Sequence, residues 1–594
     1  MLRLRPSCAR PSVRVLCALV LGSVLMLLSA RASAQSCAAG SDSAVSQYGV
    51  TVTFDQSYTC GLFANGDYWV APASPGGTVT IVTMTPDFTG SAHGWEVNPA
   101  STQNQGFDAR VSGFDAARVP TLPYAAAGGQ SIVKAVSIDP AIVDAEAYLD
   151  TAIVLTVLDA PPPGDGSTLF RPPYFGTDKP LIDLSTLHPE RLPTLPAAGT
   201  PVTLAWVTQR YARVQLDHLN NWVGRAMHPV QNMPNYGSDI GRDSGDAVLQ
   251  LMLDDPAADK LPALIPFVEF GIDLYAMMQG GQDWAANGGH HNGRKLALDF
   301  AAVLLSDPAM LAAVTARNDG TFGEDGSIVF STTAGRVLWG QPGSESDYWH
   351  NQTDQSGSRT IVDPYGLIDG GEQPSGSYQF CCNSEMWKGT ALALYLMPAL
   401  RCAWSNDHFL DYVDRWVEQG AWTQPDTCAP TDGTWANYGI TFGEDGNGGC
   451  IADTEPTCSA AEIAQGASDP CIGRWPGMHG AAADDGYYAS DFASAMWTAE
   501  RPGVSPTPPD CSGSGGQGAG GQGAGGVGAG GAGGSGAAGA GATGPVNGAS
   551  EEDTGCGCRL GGRTDSSPAS GLTLLVGLAL ALGSRRRGPT RTAT

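Results

Sequence analysis

Charge is scarce in this chain, and positive charge is the scarcer kind. Of 594 residues, 15% are Asp, Glu, Lys or Arg, with 32 basic against 59 acidic side chains and a formal net charge of −27. Taking away the first 34 residues, which carry five Arg and no acid, leaves −32. A surface so negative excludes a partner that is itself a polyanion, so no nucleic acid is expected. Also missing from the folded region are Gly-x-Ser-x-Gly, His-Glu-x-x-His, Walker and Rossmann patterns, which removes several common enzyme classes. No Cys-x-x-Cys pair lies there either, which argues against a zinc site. Between Cys511 and Ser550 there is no charged side chain at all, only Gly/Ala-rich repeats that cannot form a core. Residues 511–550 therefore read as a flexible tether, with an r.m.s. reach of about 35 Å.

Both ends carry targeting features. Arg3, Arg5, Arg10 and Arg14 precede an apolar run over 15–28 that ends in Ala32-Ser33-Ala34, the layout of a secretory signal peptide over residues 1–34. At the other end, Cys556 and Cys558 sit in a Gly-Cys-Gly-Cys stretch followed by a short apolar run over 571–583 and the cluster Arg585, Arg586, Arg587. That order of parts over 551–594 resembles the MYXO-CTERM sorting signal. The resemblance implies a short transmembrane sorting helix, processing of the tail by sorting machinery, and attachment at the outer cell surface through Cys556 or Cys558. Of 14 cysteines, ten then remain between the signal peptide and the tail, an even number that suits disulfides in an oxidising space. Cys37 and Cys60 form the expected local pair, and Cys402 is a candidate partner for Cys381 or Cys382.

The hydrophobic pattern divides the folded part. Over 35–160, short β-branched and aromatic runs such as 49–54, 78–83, 132–136 and 152–157 are split by Gly and Pro, which predicts a β-sandwich-like domain. A Pro-rich connection over 161–201 follows. Over 202–510 the period changes, and helices are expected at 204–226, 244–253, 264–278, 294–305, 385–404 and 408–419. The fold class is thus multidomain α+β, with the helical part laid out like an (α/α) toroid whose loops line a cleft.

The densest polar segment, 284–295, holds Trp284, Asn287, His290, His291, Asn292, Arg294 and Lys295, with Asn292 expected as the N-cap of the helix that follows. Cations at a helix N-terminus oppose its dipole, so they need another reason to be there. A substrate carboxylate is one. A second loop offers Asn235, Tyr236 and Arg242, and further loops supply Trp349, Trp387, His479 and Tyr487, flat apolar faces with polar rims on which sugar rings stack. The hexapeptide Thr-Phe-Gly-Glu-Asp-Gly occurs at 321–326 and again at 441–446, either as two similar turns or as acidic loops able to hold Ca²⁺. No other cofactor is expected, and no metal ligand set is assigned.

Two chemistries fit such loops. A polysaccharide lyase removes the proton beside a uronate carboxylate, which needs a base and a neutralising group. Tyr236 and His291 are the expected catalytic residues. Asn235, Arg242, His290 and Arg294 are expected to hold the substrate carboxylate, with Trp284, Trp349, Trp387, His479 and Tyr487 contacting the glycan. A glycoside hydrolase needs two facing carboxylates instead, for which Asp239, Asp243, Glu269, Asp273, Glu385, Asp484 and Asp485 are candidates. In its two-part layout and residue types, the chain resembles secreted polysaccharide lyases of the alginate lyase and heparinase type, in which the β-rich part usually follows the helices. That resemblance implies an extracellular polysaccharide as partner. A surface adhesin that binds glycan without cleaving it is the non-enzymatic alternative.

Overall fold

Eight strands, β1 (Gly40–Gln47), β2 (Val50–Leu62), β3 (Tyr68–Ala71), β4 (Thr78–Thr85), β5 (Trp95–Val97), β6 (Tyr124–Ala127), β7 (Gln130–Ser137) and β8 (Leu149–Val157), open the computed structural model. It describes residues 40–139, 141, 147–220, 222–317, 320–332, 335–340, 352–353, 360–361, 379–420 and 488–511. The signal peptide, Cys37, the tether beyond Cys511, the sorting tail, the second hexapeptide and Trp349, His479, Asp484, Asp485 and Tyr487 lie outside these residues.

The strands form one half-barrel sheet in the order β5-β7-β8-β3-β2-β4-β6, with β1 paired to β2. Only β3 and β8 run parallel. Tyr48 and Gly49, both at positive φ, make the tight turn between β1 and β2. Alternation in the strands explains why one sheet suffices. Ile132, Ile153, Leu155 and Val157 point into a core shared with Val50, Val52, Phe54 and Ile81. Their neighbours Val133, Ala152 and Val154 point the other way and join the core of the helices. β8 is therefore buried on both faces, which its nearly unbroken apolar run reflects. A second facing sheet, as a sandwich would have, is replaced by helices.

The helices are α1 (Leu204–Tyr211), α2 (Gly237–Leu251), α3 (Ala257–Gln279), α4 (Arg294–Leu305), α5 (Pro308–Thr315), a single turn α6 (Gly323–Gly326), α7 (Trp387–Leu396), α8 (Pro398–Trp404), α9 (Asp407–Gln419) and α10 (Asp491–Glu500). The expected long helix over 204–226 stops at Tyr211, and a 3₁₀ segment Trp222–Met227 follows only later. Between them, Gln215 Nε2 donates to Arg210 O at 2.8 Å and Asp217 N–H to the Tyr174 hydroxyl at 3.2 Å. These bonds pull the chain inward, and a continuing helix could not make them. The helix expected over 385–404 is two, because Pro398 forces Met397 out of helical geometry (φ −125°, ψ 90°).

One buried cation joins sheet to helices. Arg171, 1% exposed, reaches Asp67 ahead of β3 at 2.8 Å and Glu269 and Asp273 on α3 at 3.2 and 2.5 Å. Burial, reinforced by Asp273 and Asp67 against the pull of Arg171, raises Glu269 well above the usual carboxylate range. At the C-terminal edge, Cys402 on α8 is bonded to Cys511, 109 residues away, rather than to Cys381 or Cys382. The neighbouring Arg401 explains this pairing, since its guanidinium holds Pro506 O at 2.9 Å and Thr507 O at 3.3 Å and so lays the last segment along α8. Cys60 and Cys382 are also in disulfides.

Candidate functional site

Glycine recurs every fourth residue at the start of α2, at 237, 241 and 245, so one face of the helix is bare backbone. A Cβ at Gly237 would lie 1.8 Å from His290 O, and one at Gly241 would lie 2.7 Å from Met386 Sδ. Gly245 abuts Gly389 on α7, where its Cβ would be 3.3 Å from the Gly389 Cα. The loop before α4 and the start of α7 therefore close directly onto α2. Ser238 reinforces the contact by donating its hydroxyl toward Gly289 O and Cys382 O.

Beneath this junction lies a buried polar hub. Asp217 accepts from Arg294 Nε at 2.7 Å and Nη2 at 3.1 Å, from Trp284 Nε1 at 3.0 Å, and pairs with His228 Nε2 at 3.0 Å. Burial pushes the carboxyl up, but Arg294 and His228 outweigh it and hold Asp217 far below the usual range. The adjacent His218, ringed by Phe107, Tyr174 and Phe175, is pushed by burial to about 3 and is neutral. Lys295 makes two 2.8 Å contacts to the Asp325 carboxylate and lies 4.2 Å from the Trp404 ring. Arg294 and Lys295 are thus turned inward onto acids at a helix N-terminus, and both are fully buried. This pairing is the reason those cations stand against the helix dipole.

The cap of α4 also differs from expectation. Gly293, at φ 88°, holds the N-cap position with no side-chain cap, and its N–H is taken by Glu324 Oε1 at 2.7 Å. Asn292 instead accepts from Trp387 Nε1 at 3.0 Å and donates to Asn383 Oδ1 at 2.6 Å, tying the loop to α7. Capping with Asn292 would forfeit both of these bonds.

At the rim an aromatic group gathers from four segments. Trp222, 39% exposed, carries the Arg225 guanidinium 3.6 Å from its ring centre and lies 5.3 Å from His290 and 6.1 Å from Tyr236. Tyr236 is 5.7 Å from Tyr488 and stacks toward His290 at 6.4 Å, while His290 and His291 are 4.6 Å apart. The Tyr236 hydroxyl accepts the Gly289 N–H at 3.1 Å. His291 Nδ1 faces Ala285 O at 2.6 Å and must donate there, which leaves the lone pair on Nε2. Burial, and then the charge of Arg294, lowers the His291 pKa, so the ring is a neutral base of defined tautomer.

Further along α2, Arg242 pairs with Asp239 at 2.9 Å and Asp243 at 3.3 Å, and Arg210 reaches Asp243 at 2.9 Å. Asp246, one turn on, accepts the Ser490 hydroxyl at 2.5 Å. Burial outweighs that bond and, with Asp243 adding to it, raises Asp246 to about 7.

Of the residues singled out in the sequence, Tyr236 and buried His290 meet in this group and buried His291 joins it through His290, with half-buried Asn235 next in the chain and Arg242 on the same helix. Trp284 and Arg294 lie in the buried hub on Asp217, and buried Trp387 is bonded to Asn292 instead. Sequence reasoning missed Trp222, which sat inside an expected helix. The four-residue glycine spacing was the signal that α2 and the histidine loop would touch. In the acidic hexapeptide at 321–326, Glu324 and Asp325 are engaged by Gly293 and Lys295. Among the described residues, no group of three or more His, Cys, Asp or Glu is placed to hold a metal ion. No protein-family model, curated protein or solved structure matches the chain.

Proposed function

We propose that this is an exported, surface-displayed polysaccharide lyase that cleaves a uronate-containing glycan by β-elimination. The observation that carries the reading is His291: a neutral imidazole, its Nδ1 committed to Ala285 O and its Nε2 left basic, 4.6 Å from the His290 ring, which in turn meets Tyr236 and the exposed Trp222. In this reading a sugar ring stacks on Trp222, while Asn235 and Arg242 neutralise the uronate carboxylate and acidify the adjacent C–H. His291 Nε2 takes that proton, and the electron pair forms the ring double bond as the glycosidic C–O bond breaks. The Tyr236 hydroxyl returns a proton to the leaving oxygen. Arg294, held by Asp217, acts at a distance by keeping His291 unprotonated.

A panel of uronate and neutral polysaccharides tests this. Elimination is expected to leave an unsaturated sugar that absorbs in the ultraviolet, with loss of on the order of 100-fold or more in His291→Ala and Tyr236→Phe. Reducing ends without that absorbance would reject elimination and favour a hydrolase, a reading supported by Asp246, raised to about 7 one turn from the arginine-held Asp243. Binding of glycan with no cleavage would leave an adhesin. The surface location rests on the signal peptide, the chargeless tether and the tail with Cys556 and Cys558. Replacing both cysteines by Ser is expected to leave export intact and abolish surface retention.

A further inference from the structure

The hexapeptide at 321–326 has no role in the chemistry above, yet every one of its residues meets the segment that carries the histidines. Thr321 O accepts the Trp284 N–H at 2.8 Å, and the Phe322 ring stacks on Trp284 with 5.8 Å between centres and 8° between planes. Gly323 lies under the histidine backbone, where a Cβ would be 3.2 Å from His291 O. Glu324 takes the Gly293 N–H, Asp325 takes Lys295, and a Cβ on Gly326 would lie 3.0 Å from the Ala286 Cβ. The peptide is a template against which the loop is moulded.

Glu324 holds the decisive point. Gly293 is the N-cap of α4 and is left-handed, so the helix start has no side chain of its own to fix it. The Gly293 N–H bond to Glu324 Oε1 is the side-chain contact that sets where the histidine loop ends and α4 begins, two residues from His291. Glu324 is 1% exposed and cannot drift into solvent.

We infer that Glu324 is a positioning residue: by holding the Gly293 N–H it sets the loop so that His291 Nδ1 meets Ala285 O and Nε2 is the nitrogen left to act as base. The inference rests on the lyase reading for its catalytic consequence, but its structural content can be tested without substrate. The whole protein, labelled with ¹⁵N in histidine, is titrated by NMR as wild type, Glu324→Ala and Glu324→Gln, with His291→Ala assigning the signal. In wild type, His291 is expected to titrate below the ordinary histidine value. Glu324→Ala should move the midpoint up toward that ordinary value and slow elimination on the order of 100-fold, the cost of misplacing a reacting group by about 1 Å. Glu324→Gln keeps a carbonyl acceptor for Gly293 and should restore both, which a merely structural role for the charge would not.

An unchanged His291 midpoint in a folded Glu324→Ala protein overturns the inference, as does a Gln variant as impaired as the Ala variant. Should Glu324→Ala fail to fold, Gly323→Ala presses on the same loop through the His291 carbonyl. An unmoved midpoint there overturns the inference equally. Absence of any uronate cleavage by wild type would reject the lyase reading, and the titration would still decide the role of Glu324.

Discussion

At the scale of single residues, Asp217 and Arg294 depend on one another. Each is buried; without Asp217 the Arg294 charge would be uncompensated, and without Arg294 the carboxylate would keep only His228 and the Trp284 N–H. A buried pair of this kind adds little net stability over an apolar replacement, but breaking it from one side typically costs about 3–5 kcal/mol. Arg294→Ala is therefore expected to lower unfolding free energy by roughly that amount in a urea titration. Pairing Arg294→Met with Asp217→Asn should cost clearly less than the two single changes added together, because neither then strands a charge. Additive losses would mean that the two side chains do not act as a unit. The cluster of cations over 290–295 was legible in the sequence, but its direction was not. Whether an arginine faces solvent or an acid 77 positions away depends on which segments fold together, and local spacing carries no such information.

Among the elements, α2 was read too short because Gly, Ser and Asp at its start look like loop. Its glycines reduce helix propensity and are retained for what their missing side chains permit. Gly237→Ala would raise intrinsic helix stability by up to about 1 kcal/mol in isolation. Here the new methyl meets the backbone oxygen of His290, and backbone cannot swing aside as a side chain can. The expected outcome is a net loss of about 1–3 kcal/mol in denaturant unfolding. Gly245→Ala, whose Cβ would stand 3.3 Å from the Gly389 Cα, should cost markedly less. Equal effects at the two positions would contradict the close packing of the histidine loop on α2. The break between α7 and α8, which the reading of one helix over 385–404 passed over, is set locally by Pro398, whereas the end of α1 is set by bonds to distant residues.

For the molecule as a whole, the joint between α2 and the C-terminal segment is expected to weaken as pH rises. Asp246 is raised to about 7 by burial, with Asp243 adding to it and the Ser490 hydroxyl opposing. A carboxyl whose folded pKa is raised holds its proton after the unfolded chain has released it. Its contribution to stability is thus fully present below about 4 and is lost as pH rises to about 7. Over three pKa units the loss is on the order of 4 kcal/mol. Asp246→Asn keeps an oxygen for Ser490 and cannot ionise. It should match wild type near pH 4 and be the more stable protein near pH 8, by an amount that grows between about 4 and 7 and then levels off. Parallel stability curves for the two proteins would show that Asp246 does not carry this proton.

Period and composition determined much of this protein on their own. Strand-length β-branched runs before residue 160 and helical runs after 202 specify a mixed α+β chain, since alternation and a 3.6-residue repeat are local properties of the backbone. The same local reading placed Tyr236 and His290–His291 at the starts of two helices. Only tertiary structure decided that the β part is one sheet completed by helices, that Cys402 bonds Cys511, and that Arg294 turns toward Asp217. It alone brought Trp222 to His290 and Tyr488 to Tyr236. Each of these is a choice between partners far apart in the chain, and it is made by which surfaces can be buried together while most of the polar groups among them find partners.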